Sequence, residues 1–284
     1  MSLPAAATTD APVGHVVTEL LGTGFVALTG AGMSTDSGIP DYRGPGSVDR
    51  KPMTYQEFVS GPESRRHYWA RSYVGWSRMH RAEPNAGHIA LARLQQAGVC
   101  KGLITQNVDG LHERAGSSAY ALHGRIAEVV CLGCRAQTSR ETLQRRMAEL
   151  NPGWLEQHRD VADRPDGDVE LTETAGFAVP DCDRCGGVLK PDVVYFGENV
   201  PKPRVQRCYD LVDQAPALVV LGSSLTVMSG LRFVRHAAKR GTPVVIVNRG
   251  RTRGDDLATH TLHHGTSEFL THHGWGPASG MTGA

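Results

Sequence analysis

Phe25-Val-Ala-Leu-Thr-Gly-Ala-Gly-Met-Ser34 is the stretch that decides the fold. Phe25 to Thr29 form an almost continuous apolar run that ends in glycine. A run of that length with no polar alternation predicts a strand buried on both faces. Gly102-Leu-Ile-Thr-Gln106, Ala217-Leu-Val-Val-Leu221 and Pro243-Val-Val-Ile-Val247 have the same form. Helical patterns lie around and between them, at Val16–Leu21, His88–Ala97, Arg204–Gln214 and Leu231–Arg240. Buried strands alternating with helices predict an α/β fold, a Rossmann-like doubly wound parallel sheet. Ligands of such sheets bind beyond the carboxyl ends of the strands. The polar segments Gln106–Asp109, Gly222–Ser224 and Asn248–Gly250 all fall there, as does the glycine loop after Thr29.

Gly22-Thr-Gly-Phe-Val-Ala27 also fits a dinucleotide-binding pattern, but it precedes the strand, and a true fingerprint comes after one. The element in the right context is Thr29-Gly-Ala-Gly-Met-Ser34. Its glycines would let backbone amides approach a pyrophosphate at a helix N-terminus. An ordinary strand-to-helix turn has the same appearance, and Gly-Ala-Gly alone does not separate the two. Next comes Ser37-Gly-Ile-Pro-Asp-Tyr-Arg43, a rigid turn that brings an arginine within reach of phosphate.

Four of the six cysteines are paired as Cys131-Leu-Gly-Cys134 and Cys182-Asp-Arg-Cys185. Two Cys-x-x-Cys turns complete a tetrahedral thiolate shell around one Zn²⁺. With four protein ligands no position is left for a substrate water, so the site is expected to be structural. Disulfides or a redox dithiol would use the same residues, but disulfides need an oxidising compartment. The N-terminal residues show neither the basic nor the apolar region of a secretory signal. A cytoplasmic protein is expected, and the preference for arginine over lysine hints at a bacterial source.

The chain of 284 residues is 40% hydrophobic and 21% charged, which excludes a disordered protein. Thirty basic against 29 acidic residues leave a net charge of +1, which argues against nucleic-acid and anionic-membrane partners. No apolar run is long enough to span a bilayer. The expected organisation has a flexible lead-in over 1–14, a Rossmann-like domain from 15–126 and 190–273, a small zinc module over 127–189, and a flexible tail over 274–284. Within the module, Arg140–Leu150 reads as helix and Asn151–Pro180 as irregular loop.

Eight motifs in sequence resemble the sirtuin family. They are Gly30-Ala-Gly-Met-Ser34, Gly38-Ile-Pro-Asp-Tyr-Arg43, Thr105-Gln-Asn-Val-Asp-Gly-Leu-His112, Leu122-His-Gly124, the paired Cys-x-x-Cys, Lys190-Pro-Asp-Val-Val-Tyr-Phe-Gly-Glu198, Gly222-Ser-Ser-Leu225 and Val247-Asn248. The resemblance spans about Val16 to His272. Tyr42, Tyr68-Trp-Ala-Arg71, Val74-Gly-Trp76, Leu150-Asn-Pro-Gly-Trp154 and Pro165-Asp-Gly-Asp168 look most like its class II branch.

The resemblance implies an NAD-dependent protein-lysine deacylase. NAD would be consumed as cosubstrate, the acyl group passed to ADP-ribose, and nicotinamide released. Protein mono-ADP-ribosyl transfer at the same site is the alternative. A redox dehydrogenase is disfavoured, because no acidic residue about 20 positions past the glycine loop has ribose-binding strand context. A non-catalytic zinc-ribbon module would leave the cleft motifs unexplained.

By resemblance, His123 is the general base for the ribose hydroxyls, assisted by Asn107. A neutral imidazole near its ordinary pKa of ~6.5 suits that task. Gln106, Asn107, Val108 and Asp109 would hold ribose and carboxamide. Gly30, Ala31, Gly32, Ser34, Ile39, Asp41 and Arg43 would hold pyrophosphate and its surroundings. Gly222, Ser223, Ser224, Asn248, Arg249, Gly250 and Thr266 would take the adenosine side. Val194 and Phe196 would line an apolar tunnel for the acyl-lysine. Gly197-Glu198 and Ser224-Leu225 would flank the peptide as two strand edges. The sequence departs from the family at Ser229, where most sirtuins carry proline, which puts the closeness of peptide docking in question.

Tyr68 and Arg71 lie three apart in a stretch, Glu63 to Trp76, that reads as helical, so they share one helix face. They resemble the Tyr-x-x-Arg pair with which desuccinylating sirtuins hold an acidic acyl chain. The plainer alternative makes Tyr68 core and Arg71 a solvated charge.

Overall fold

The computed structural model describes residues 13–41, 52–158, 163–164, 168–169, 171 and 173–272. Arg43, Tyr42, the Pro165 turn, most of the N-terminal lead-in and the tail over 274–284 lie outside the described residues.

The four strands expected from sequence sit together in one sheet. β1 (Phe25–Thr29) pairs in parallel with β2 (Cys100–Thr105) on one side and β9 (Leu218–Leu221) on the other; β10 (Val244–Val247) lies beyond β9. Two short strands extend the sheet at its edges, β3 (Ala119–Ala121) beside β2 and β11 (His260–Leu262) beside β10. The order is β11-β10-β9-β1-β2-β3, all parallel.

Strand periodicity divides the core between the two faces. Phe25 and Ala27 pack with α1 (Val13–Thr23), α4 (Ala86–Gln96) and α10 (Thr266–His272). Val26 and Leu28 face α8 (Lys202–Asp213) and α9 (Met228–Lys239). Within α9, Leu231, Phe233, Val234 and Ala237 are all fully buried, and truncating Leu231 to alanine is expected to cost about 2–5 kcal/mol. α1 starts at Val13, within the stretch over 1–14 expected as the lead-in.

The zinc module has its own sheet. β4 (Gly124–Cys131) lies between β5 (Gln137–Ser139) and β8 (Leu189–Val193), antiparallel to both. α6 (Arg140–Leu150) covers the expected residues and is capped by Ser139, whose Oγ accepts from Thr142 N at 3.1 Å. Asn151–Pro180 is less irregular than its composition suggests. It holds α7 (Trp154–Gln157) and a two-stranded ribbon of β6 (Asp163–Arg164) and β7 (Asp168–Val169). Trp154 packs on Phe177 at 5.1 Å between ring centroids and supplies an anchor there.

The module's core also draws in residues from far upstream. α2 (Tyr55–Val59) and α3 (Pro62–Arg81) contribute Phe58, Tyr68, Trp69 and Tyr73 to the cluster that holds Cys131, Leu143 and Leu189. Trp69 Nε1 donates to the Leu189 carbonyl at 3.2 Å. A segment as small as 127–189 buries little surface on its own, and α3 supplies the missing aromatic mass. The short α5 (Leu111–Arg114) completes the elements beside β2.

Candidate active site

One cleft of about 980 Å³ opens at the carboxyl ends of β1, β2, β9 and β10 and runs towards the zinc module. That is the upper end of the ~300–1,000 Å³ typical of small-molecule sites, and it suits a dinucleotide with a peptide-borne chain beside it. Except for Arg43, every non-metal site residue expected from sequence lines this cleft.

The turn after β1 differs from expectation. No α-helix begins there; Ala31–Met33 and Thr35–Ser37 form two short 3-10 turns. A helix dipole at this loop is therefore not part of the site, and the anion contacts fall to individual groups. The loop is held against the end of β9, where Gly222 has φ +63°. A Cβ on Gly222 would lie 2.6 Å from the Gly32 carbonyl carbon and from Met33 N, so only glycine lets the two loops meet.

Side chains stitch the strand ends together. Gln106 Nε2 donates to Ser223 Oγ at 2.8 Å and to the Thr29 carbonyl at 3.3 Å. Asn107 Nδ2 donates to the Gly30 carbonyl and to Ser34 Oγ, both at 3.0 Å. Ser34 Oγ donates in turn to Asp109 Oδ2 at 2.7 Å, and Leu111 N to Asp109 Oδ1 at 2.9 Å. Burial raises the Asp109 pKa, and these two donors partly restore it. Beyond β10 and at the start of α10, Asn248 Nδ2 donates to the Gly250 carbonyl at 2.7 Å, and Thr266 Oγ1 to the Gly32 carbonyl at 3.2 Å. Arg249 lies 3.9 Å from Asp36 and stays mostly exposed.

His123 sits at the floor of the cleft, between these loops and the apolar wall. Gly124 explains the Leu-His-Gly motif physically. It has φ +80°, and a Cβ there would lie 1.8 Å from the Asp192 carbonyl oxygen. His123 Nδ1 lies 2.9 Å from the Gln106 carbonyl oxygen, and Nε2 lies 2.8 Å from Ser229 Oγ. Burial pushes the His123 pKa down to about 4, well below its ordinary value; the Gln106 hydrogen bond opposes this, and Arg204 and Arg232 add to it. The imidazole is neutral at physiological pH, as expected, but is a weaker base than its ordinary pKa implies.

The apolar wall continues from β8 through Val193, Val194 and Phe196. Tyr55 N donates to the Phe196 carbonyl at 2.9 Å, and Thr54 forms a parallel bridge with Phe196, so this edge already carries a short ladder on one side. Opposite it, Leu225 is fully buried with φ +55°. A non-glycine residue there costs about 1–3 kcal/mol, a strain that clusters at ligand-binding loops.

Tyr68 belongs to core and cleft at once. It packs edge-on against Phe58 and Tyr195 and also lines the cavity. Arg71 is not solvated: the residue is 8% exposed, lines the same cavity, and its Nη1 lies 2.9 Å from His67 Nε2. Met53, Met79, Ile126, Val227, Met228 and Arg232 also line the cleft without any sequence motif marking them. Helical spacing from Tyr68 would have reached Met79; Met53 and Val227 arrive from loops, Ile126 from β4, and Met228 and Arg232 from α9.

The four cysteines meet within 4.8 Å of one another. Sγ–Sγ separations of 3.6 Å (Cys131–Cys185) and 3.8 Å (Cys134–Cys182) match the ~3.8 Å that a tetrahedron with ~2.3 Å zinc–sulfur bonds requires. The Cys134 N–H, and after it that of Gly133, lower the Cys131 thiol to about 6, which favours the ligating thiolate. None of the six cysteines is in a disulfide. The donor set fits Zn²⁺ with no protein position left open.

Residues 30–229 match the Sir2 family. The chain is 55% identical over 260 residues to NAD-dependent protein deacetylase 1 of Mycobacterium avium (strain 104), covering 90% of this chain and 92% of that protein. It is 54% identical to NAD-dependent protein deacetylase 1 of Streptomyces coelicolor, covering 90% and 86%. A solved structure of Sir2 with a p53 peptide and NAD+ superposes with a TM-score of 0.72 at 33% identity, covering 90% of this chain and 94% of that one. With the fold, the cleft and the cysteine cluster already in place, these similarities settle the family: the chain belongs to the Sir2 family, the sirtuins.

Proposed function

We propose that this chain is an NAD-dependent protein-lysine deacylase with one structural zinc. The single observation that carries this reading is the position of His123. Its ring lines the same cleft as the glycine loops and the apolar wall of Val194 and Phe196, which supports a base for the ribose hydroxyls there. When bound, NAD would supply an electrophilic ribose carbon for the acyl oxygen, with nicotinamide as leaving group and ADP-ribose as the acyl acceptor.

The chain's own residues do the rest. Gln106, Asn107 and Asp109 are fixed by Ser223, Ser34 and backbone groups, so their remaining polar atoms meet the ribose and carboxamide pre-oriented. Gly30, Gly32, Gly222 and Ser223 offer backbone at close approach, with Asn248, Arg249, Gly250 and Thr266 on the adenosine side. Val194 and Phe196 exclude water along the lysine stem. Gly197 and Ser224 flank the peptide backbone. Neutral His123 takes the ribose proton at Nε2. Arg71 and Tyr68, at the wall of the same cavity, are placed to receive the far carboxylate of an acidic acyl chain. Four thiols gathered as a metal shell agree with a cytoplasmic setting, where thiols stay reduced.

Among the described residues no helix is long and apolar enough to cross a membrane. The test is incubation with NAD and a panel of acyl-lysine peptides, read by mass spectrometry. Free nicotinamide, deacylated peptide and acylated ADP-ribose in equal amounts are expected. A peptide that gains ADP-ribose and keeps its acyl group would establish mono-ADP-ribosyl transfer instead.

A further inference from the structure

His123 is held from both sides, and the two partners differ in kind. The Gln106 carbonyl oxygen can only accept a hydrogen bond, so Nδ1 carries the ring proton and Nε2 the lone pair. Ser229 Oγ stands 2.8 Å from that lone pair, so its hydroxyl donates to Nε2. Ser229 is the second residue of α9, and its place is fixed. Gly230 packs so tightly that a Cβ there would lie 2.5 Å from Gln106 Oε1, which ties the start of the helix to the residue that holds the other side of the ring. This is the position where the sequence departs from the family's proline, and a proline could offer no hydroxyl.

We propose that Ser229 is a positioning residue for His123, donating its hydroxyl to Nε2 while the ring is neutral and accepting from the Nε2 hydrogen once the ring has gained a proton. The proposal rests on His123 being the base of the deacylation reaction. The charges around the ring show what such a partner offsets. Arg204 on α8 and Arg232 on α9 both disfavour the imidazolium. Arg204 is offset by Asp192 at 2.6 Å, whereas Arg232 has no ion pair among the described residues. Asp36, Asp41, Asp109 and Glu198 are the acidic groups that line the cleft; none is bonded to the His123 ring, Asp36 lies 3.9 Å from Arg249, Glu198 is 3.1 Å from Lys190, and Asp109 is held by Ser34 and Leu111. The imidazolium therefore forms with no carboxylate bonded to its ring, and among the described residues Ser229 Oγ is the protein group within hydrogen-bond distance of Nε2.

In proton terms the ribose O–H bond breaks and the Nε2–H bond forms. Ser229 keeps its own proton and rotates it from Nε2 towards the cleft, so that Oγ can accept. A hydroxyl serves both protonation states; alanine and proline serve neither.

Two readouts on the full-length protein separate positioning from general damage. Nicotinamide leaves before the base acts, so exchange of labelled nicotinamide into NAD in the presence of acetyl-lysine peptide reports the steps before His123. Ser229→Ala is expected to leave that exchange within about twofold while lowering deacylation about 10-fold, the loss of one hydrogen bond to a charged group. Ser229→Thr should recover most of the lost rate. Without NAD, the ring ¹⁵N signal of His123 Nε2, assigned by its absence in His123→Ala, should move in Ser229→Ala and return in Ser229→Thr. Unchanged deacylation in Ser229→Ala, an unmoved Nε2 signal, or exchange and deacylation falling together would each overturn the proposal. Wild-type protein that shows the Nε2 response but no NAD-dependent deacylation would overturn the functional reading, and the positioning role with it.

Discussion

Two buried histidines and the part-buried His123 make acid stability a sharp test of the site's construction. His88 and His112 lie under the glycine loop with ring centroids 4.7 Å apart. His88 Nδ1 accepts from Asn85 N in the cap of α4, and Asn85 Nδ2 donates to the Met33 carbonyl. His112 Nε2 bonds Thr29 Oγ1 at the end of β1. Burial holds His88 at about 4 and His112 at about 3, with His88 lowering His112 further; His123 is at about 4. Each native pKa is below its unfolded value, so the unfolded chain binds more protons and stability falls as pH drops through the unfolded pKa of ~6.5. Going from about pH 7.5 to about pH 5.5 should cost about 1.3 kcal/mol per histidine, roughly 4 kcal/mol for the three. The size is set by the unfolded pKa, since all three native values lie more than a unit below the lower pH. That is a large share of the ~5–15 kcal/mol of a typical domain. Urea unfolding at the two pH values measures it. In His88→Gln/His112→Gln, glutamine keeps an N3 capping group at position 88 but does not titrate. This variant should lose only about 1.3 kcal/mol, from His123. A wild-type loss below about 1 kcal/mol, or an equal loss in both proteins, would refute the argument.

Replacing Cys182 with alanine should release zinc and lower the urea midpoint, because three thiolates keep only part of the binding free energy; metal analysis and unfolding check this, and a variant with wild-type stability would remove the structural role. His123→Ala should cut deacylation about 10²–10⁴-fold with NAD affinity nearly unchanged by calorimetry. Arg71→Met should lower turnover of succinyl- or glutaryl-lysine relative to acetyl-lysine by roughly 10- to 150-fold, the worth of a charge-assisted hydrogen bond; an unchanged ratio would leave Arg71 without a role in acyl choice.

The strands that carry the site were legible because they are buried on both faces, and burial on both faces leaves an unbroken apolar run such as Leu218–Leu221. The edge strands β3 and β11 were not, since three residues such as His260–Leu262 carry no period. The zinc ligands were legible from spacing alone. The helix expected after Gly30 was not formed, because a glycine loop specifies close approach and leaves the conformation of the next turn open. Most hidden from the sequence was the debt of the zinc module to α3. Tyr68 and Trp69 read only as part of a helical stretch from Glu63 to Trp76, and nothing local says which core they enter. Ser229 showed in the sequence only as a departure from the family; its bond to His123 depends on a contact across 106 positions of chain.

The zinc cluster is remote from the chemistry in space but close to it along two strands. β4 begins at Gly124, next to His123, and ends at Cys131, a thiolate of the cluster. β8 runs back beside it, with Leu189 opposite Cys131 and Val193 opposite Gly124; Val194 N then donates to the His123 carbonyl at 2.8 Å. Between the two ends lies Lys190, 4% exposed, which donates to the Val193 carbonyl at 2.5 Å and pairs with Glu198 at 3.1 Å. Glu198 Oε2 also accepts from Tyr195 N at 3.0 Å. Burial lowers the Lys190 pKa, and Glu198 is the main group opposing it. Breaking such a pair from one side costs about 3–5 kcal/mol, so the register of Val193–Glu198 is strongly fixed. The same backbone carries Val194 and Phe196, the channel wall. A metal at the cluster would thus fix one end of a two-stranded lever whose other end holds His123 and the wall of Val194 and Phe196, the proposed base and acyl-lysine channel. On the proposed reading, that connection would give a tetrahedral site with no open position a part in the geometry of catalysis.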